Sequence, residues 1–186
     1  MDLFEALNAR RSVKSFTDRL LQREEIERLL DAAVLAPNHR MTQPWRFHVL
    51  GPSARRAYGE ALGARKASRM EDAAAGELVQ RKVADEHAAL PSMIAVSMRV
   101  DENPEIREED YAAAFMAIEN LSLAAVAMGL GVHIKTGAVM DDPHAREAAG
   151  IPEGERLVAI INLGEPASVP TPKPRTPAGA LTRWLP

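Results

Sequence analysis

Several small clusters in this chain gather residue types that could do chemistry. Arg10-Arg11-Ser12 sets two guanidiniums beside a hydroxyl. Such a set can meet a phosphate from several directions. It can equally be solvated charge beside a helix C-terminus, where the macrodipole favours cations. Asn38-His39-Arg40-Met41-Thr42-Gln43 collects donors and acceptors ahead of an extended segment, as a binding loop or as a solvated turn. Lys135-Thr136-Gly137 can present a cation and backbone N–H groups to a ligand, or form an ordinary surface turn. Lys173 and Arg175 lie in a Pro-rich tail, as phosphate ligands or as solvated charge. Glu119 and Asn120 interrupt an otherwise apolar helix and read as satisfied buried polar groups rather than catalysts.

Other chemistries are absent from the sequence. There is no cysteine, so there is no disulfide, thiolate metal site, iron–sulfur cluster or Cys nucleophile. The five histidines include no pair at i, i+3 or i+4, and H-E-x-x-H is missing, so no metal is expected. G-x-S-x-G is missing as well. Gly129-Leu130-Gly131 has half of a dinucleotide fingerprint, but it follows a helix and its third position is Ile134. Lys135-Thr136 lacks the preceding glycine of a Walker loop.

The elements that must hold the clusters can be read from periodicity. Asp2–Ala9 is a short amphipathic helix, and Val13–Phe16 is extended. Ile26, Leu29, Leu30, Ala33 and Val34 mark one face of a helix over 22–36, which Pro37 stops. Trp45–Leu50, Ser92–Val100, Val132–Lys135 and Arg156–Leu163 read as strands. Residues 53–90 are Ala-rich and mostly helical, with 64–76 open as a mobile stretch. Tyr111–Gly129 is apolar nearly all round, which predicts a helix covered on most sides, in part by a second subunit. Asp142-Pro143 opens a short helix. The tail from Glu165 holds six of the thirteen prolines and reads as an extended arm without regular structure. Few strands among many helices give an α+β domain with a small sheet, over 1–186, with 165–186 as the arm.

Composition constrains the partners. Of 186 residues 46% are hydrophobic, yet there are 32 alanines and only eight aromatics. A core of small side chains needs close approach between elements, or a partner that adds surface. The net charge of −3 argues against a general nucleic-acid binder. No stretch is long and apolar enough to span a bilayer, and the N-terminus has no secretory apolar region, so a cytoplasmic protein is expected.

The clusters also occur in a recognisable order. Arg10-Arg11-Ser12-Val13-Lys14-Ser15-Phe16, then Ala36-Pro37-Asn38-His39 to Trp45-Arg46-Phe47, resemble two signatures of the FMN-dependent nitroreductase family. Asn120-Leu121 through Gly129-Leu130-Gly131 to Lys135-Thr136-Gly137 resembles the third. Gly150-Ile151-Pro152 and Val158 to Gly164-Glu165-Pro166 resemble its closing strand. The short length is similar to the minimal NAD(P)H nitroreductase branch.

The resemblance implies an α+β sandwich, with a small, mostly antiparallel sheet flanked by helices, in an intertwined homodimer with two interfacial FMN sites. It implies FMN contacts from Arg10, Arg11 and Ser12, from Ile134, Lys135 and Thr136, and from Arg175, with Leu35 and His39 reaching in from the partner. The 124–129 stretch is implied near the nicotinamide nucleotide. Ile134 departs from a common tryptophan, and Lys135 from a common arginine. The implied activity is NAD(P)H oxidation by ping-pong hydride transfer through flavin N5. Its acceptors would be nitroaromatic, quinone or similar small electrophiles, with no protein nucleophile and no membrane or nucleic-acid partner. Dehalogenation, enoate reduction, flavin fragmentation and flavin binding without turnover remain alternatives on the same scaffold.

Overall fold

The computed structural model describes residues 1–186. Its centre is a four-stranded antiparallel sheet: β1 (Trp45–Val49), β2 (Ser92–Arg99), β3 (Gly131–Lys135) and β4 (Glu155–Gly164), in the order β1-β2-β4-β3. β2 and β4 are the inner strands, and both read as continuous apolar runs because helices cover both faces.

On one face lie α2 (Arg23–Ala33) and the long α5 (Pro104–Ala127). Leu29, Ala117, Ile118 and Leu121 pack there on Ile94, Val96, Ile161 and Leu163. The register slips between Val96 and Ser97, leaving Val158 without a partner on β2. Val158 and Ala159 both join this core. On the other face, α3 (Pro52–Ala67) and α6 (Pro143–Ala148) bring Tyr58, Ala61 and Ala145 onto Met93, Ala95, Leu157 and Ile160.

The alanine-rich third is a helical hairpin of α3 and α4 (Ala73–Ala88). Its close crossing needs small residues. A Cβ on Gly59 would sit 2.8 Å from the Ala84 Cα, and one on Gly63 2.7 Å from the Gln80 Cα. The stretch 64–76, open as mobile from the sequence, is mostly helix. Only 68–72 form the turn, closed by Asp72 capping α4.

Three other boundaries differ from the sequence reading. α5 begins seven residues before Tyr111, capped by Asn103 on the Glu105 N–H at 2.9 Å; those first turns are mostly charged and carry no apolar period. α2 stops at Ala33 rather than Ala36. The tail was expected to lack regular structure, but it forms one helical turn after Pro177, α7 (Ala178–Leu181). Residues 167–186 are exposed throughout, including Trp184 at 90%. No helix is long and apolar enough to cross a membrane.

Candidate functional site

The first cluster sits where α1 (Leu3–Ala9) gives way to an extended segment. Asp2 and Glu5 form a capping box at the start of α1, and Arg10 ends it. The segment then runs along the free edge of β3. Ser12 pairs in parallel with Val132, the Val13 N–H donates to the Val132 carbonyl at 2.9 Å, and Phe16 pairs with Pro166. The Ser12–Phe16 segment and β3, over a hundred residues apart in sequence, thus become neighbours, with Lys14 and Lys135 lining one cavity. Arg10 lies 3.5 Å from Glu119 on α5. Arg11 donates to the carbonyls of Asn8 at 2.7 Å and Arg10 at 2.8 Å.

Between this segment, β3 and the end of α4 lies a cavity of about 560 Å3, within the usual size of small-molecule pockets. Lys14, Ser15, Thr17, Glu86, His87, His133, Lys135 and Asn162 contribute its polar lining. Alternation along β3 puts His133 and Lys135 on this face, while Ile134 turns to the α5-side core. Burial lowers the pKa of the His133 imidazole, and nearby Lys135 and Lys14 lower it further. Burial likewise lowers that of the Lys135 ammonium; Lys66 adds to the effect and Glu86 opposes it. Asn162 is buried, and its Oδ1 has no hydrogen-bond partner.

Leu35 and His39 lie elsewhere in the protomer. Leu35 follows α2 and is 79% exposed. His39 sits in a short 3-10 turn, its Nδ1 2.9 Å from Glu109 near the start of α5. Glu109 and Glu119 are about 15 Å apart along the helix. His39 and Arg10 therefore do not share a site within one protomer. The loop is tightly specified: Arg40, Met41 and Gln43 all have positive φ, a costly arrangement for non-glycine residues. The Asn38 Oδ1 accepts from the Gln43 N–H at 2.6 Å, and the Thr42 hydroxyl donates to buried Asp110. Thr136 and Arg175 are exposed, the latter in the arm.

Sequence reading missed Lys14, His87, His133 and Asn162. Lys14 was visible beside Arg10-Arg11-Ser12. His87 and Asn162 carried no signal, since only the fold brings α4 and β4 to this edge. Glu119 and Asn120, expected as satisfied buried polar groups, both have partners, Arg10 for the former and the Ala32 carbonyl at 3.3 Å for the latter, but neither is buried, the Glu119 side chain being 45% exposed.

Two other polar assemblies have structural explanations. Ser97, His48 and Glu155 meet on the sheet, with Ser97 Oγ 2.9 Å from His48 Nε2. Ser97 is fully buried and its hydroxyl donates to Glu155, so the imidazole does not act as its base. A cavity of about 640 Å3 between α3 and α6 is lined in part by Glu60, Arg65, Asp142 and His144. Burial alone would raise the Asp142 pKa; the N–H groups of Ala145 and His144 and the Arg65 guanidinium outweigh it and hold it low. Asp142 is there to cap α6.

A profile of known families matches residues 7–165, and its description is "Nitroreductase family". The chain belongs to the Nitroreductase family. "Putative NAD(P)H nitroreductase YfhC" of Bacillus subtilis is 32% identical over 178 residues, covering 94% of this chain and 90% of that protein. "Putative NAD(P)H nitroreductase YdjA" of Escherichia coli K12 is 30% identical over 182 residues, covering 94% and 97%. Among solved structures, a nitroreductase-like family protein from Bacillus cereus superposes with a TM-score of 0.86 at 27% identity, over 100% of this chain and 96% of that one. The antiparallel sheet between two helical layers is thus the nitroreductase fold. In this nitroreductase-family chain the β3 edge gathers the basic cluster, and the exposed arm begins beyond Ala167, whose N–H donates to the Ser15 carbonyl at 3.0 Å.

Proposed function

We propose that this nitroreductase-family protein is an FMN-dependent NAD(P)H oxidoreductase. It would reduce nitroaromatic, quinone or similar small electrophilic acceptors in a ping-pong cycle. The observation that carries the reading is the β3-edge cavity. It is lined by Lys14, Lys135, two imidazoles and Glu86, and holds a buried unpartnered Asn162 Oδ1.

The residues present fit a flavin mononucleotide. Its phosphate is anionic and would be held by Arg10, Arg11, Ser12 and, from the arm, Arg175. Its polar ring edge offers N–H and C=O groups, and the N–H suits the free Asn162 oxygen. Thr136 and the backbone of Ile134, whose side chain turns to the α5-side core, would lie beside the ring, with Leu35 and His39 supplied by a partner subunit. Bound FMN supplies hydride acceptance from NAD(P)H and donation to the acceptor. Lys135 and Arg11 would stabilise negative charge in a site partly shielded from water. The 124–129 end of α5 would lie near the nicotinamide nucleotide.

A homodimer is part of this proposal. Leu3, Phe4, Val34, Leu35 and Met116 are exposed in the protomer, and the arm adds Leu181, Trp184 and Leu185. Apolar surface of this kind marks an interaction site. A single 1–186 domain whose 165–186 arm crosses onto a second copy would cover it and bring His39 to the other protomer's site. A cytoplasmic setting, where NAD(P)H is supplied, completes the reading.

The test is an absorption spectrum of the purified protein before and after anaerobic NADPH, followed by a panel of acceptors. A flavin spectrum that NADPH bleaches and a nitroaromatic restores is expected. A protein that carries no flavin, binds no added FMN and gains no NAD(P)H oxidation from it overturns the proposal. A flavin that NAD(P)H does not bleach marks a flavin-binding protein without turnover.

A further inference from the structure

The proposed function gives Lys135 a charge-stabilising role, and that role depends on where its ammonium sits. A lysine side chain is a flexible stem ending in a point charge, with no rigid fork to fix its direction. Something in the fold must aim it.

The side chain that meets it is His87, on α4. The Lys135 Nζ lies 2.9 Å from His87 Nε2. On the far side of the ring, His87 Nδ1 lies 2.7 Å from the Val83 carbonyl. A carbonyl only accepts, so Nδ1 carries the proton and Nε2 offers its lone pair. The ammonium donates to that lone pair and keeps two hydrogens for the cavity.

The neighbours explain why an imidazole does this. The charged and titratable groups that face the pair are Lys14, Lys66, Glu86 and the imidazole of His133. Glu86, the one acid among them, lies 3.9 Å from Lys82, and no carboxylate is within ion-pair distance of Lys135. A carboxylate partner would fix the ammonium but cancel its charge. A neutral imidazole fixes it and leaves the site cationic.

We propose that His87 is a positioning residue: held by the Val83 carbonyl, it aims the Lys135 ammonium into the flavin cavity without neutralising it. This rests on the proposed function. It adds a residue on α4 that the basic clusters of the sequence do not contain.

The test combines FMN titration of the apoprotein with ¹⁵N NMR of the His87 ring. Lys135→Met should weaken FMN binding about ten- to a hundredfold, the range for a charged hydrogen bond. His87→Leu should weaken it too, and His87→Leu/Lys135→Met should bind no worse than Lys135→Met alone. His87→Gln, whose amide oxygen can accept from the ammonium, should recover part of the loss. In the wild type, Nδ1 should be protonated and Nε2 bare, and Lys135→Met should shift the Nε2 resonance. Additive losses, wild-type affinity in His87→Leu, or an Nε2 resonance indifferent to Lys135→Met overturn the positioning role. The NMR comparison keeps His87 in place, so a misfolded His87→Leu does not decide the outcome. If the wild type takes up no FMN, the proposed function itself fails and this inference with it. If it does and the losses add, only the positioning role fails.

Discussion

Gly131 lies against Val13 so closely that a Cβ on the glycine would sit 2.8 Å from the valine side chain. This contact seats the Ser12–Phe16 segment on the edge of β3 and brings the basic cluster to the Lys135 strand. Gly131→Ala would therefore push the segment away from the strand. Overpacking of this kind costs about 1–3 kcal/mol. The urea midpoint should fall accordingly, and FMN affinity should fall with it. Unchanged stability and affinity would show that the segment does not depend on this contact.

Arg10→Ala separates binding from folding. The Arg10–Glu119 pair, at 3.5 Å and partly exposed, contributes at most about 1 kcal/mol to stability. Loss of a charged hydrogen bond to a phosphate costs about 1.5–3 kcal/mol of affinity. The variant should melt close to wild type and bind FMN at least about tenfold more weakly by fluorescence titration. Equal FMN retention would remove Arg10 from the phosphate site.

Much of this architecture is legible in the sequence, and the reasons are local. The face from Ile26 to Val34 fixes α2, and the apolar runs at Ser92–Val100 and Arg156–Leu163 fix the two inner strands. Arg10-Arg11-Ser12 and Lys135 carry their chemistry openly. The rest depends on long-range pairing. The Ser12–Val132 bridge spans 120 positions, and nothing in either segment names the other. His87 reads as one polar residue in an Ala-rich helix until the α3–α4 crossing delivers it to Lys135. The start of α5 was hidden because Pro104–Asp110 are mostly charged and have no buried period.

Acid should destabilise the protein in a defined way. Burial lowers the His87 pKa, and Lys135 lowers it further. The unfolded chain, with an ordinary imidazole near pH 6.5, therefore binds a proton before the folded one does. Stability should fall as the pH drops below about 6.5, until the folded imidazole also protonates. His133, lowered in the same direction, adds to this slope. His87→Gln should show a shallower loss between pH 7.5 and 5.5 in denaturant midpoints. Parallel pH curves for variant and wild type would count against the assignment.

Leu35→Glu tests the proposed dimer without touching the protomer core. Leu35 is 79% exposed, so a charge there costs the isolated fold little. Burying the leucine against a second subunit would contribute about 1.5–3 kcal/mol per copy, and both copies are lost in the variant. A glutamate would in addition carry an unpaired charge into the boundary. The dimer should dissociate at least about a hundredfold more readily by analytical ultracentrifugation. FMN retention should fall in step, because Leu35 and His39 would no longer reach the partner's site. A monomeric wild type that retains flavin, or a variant that stays dimeric and fully loaded, would refute the interfacial site.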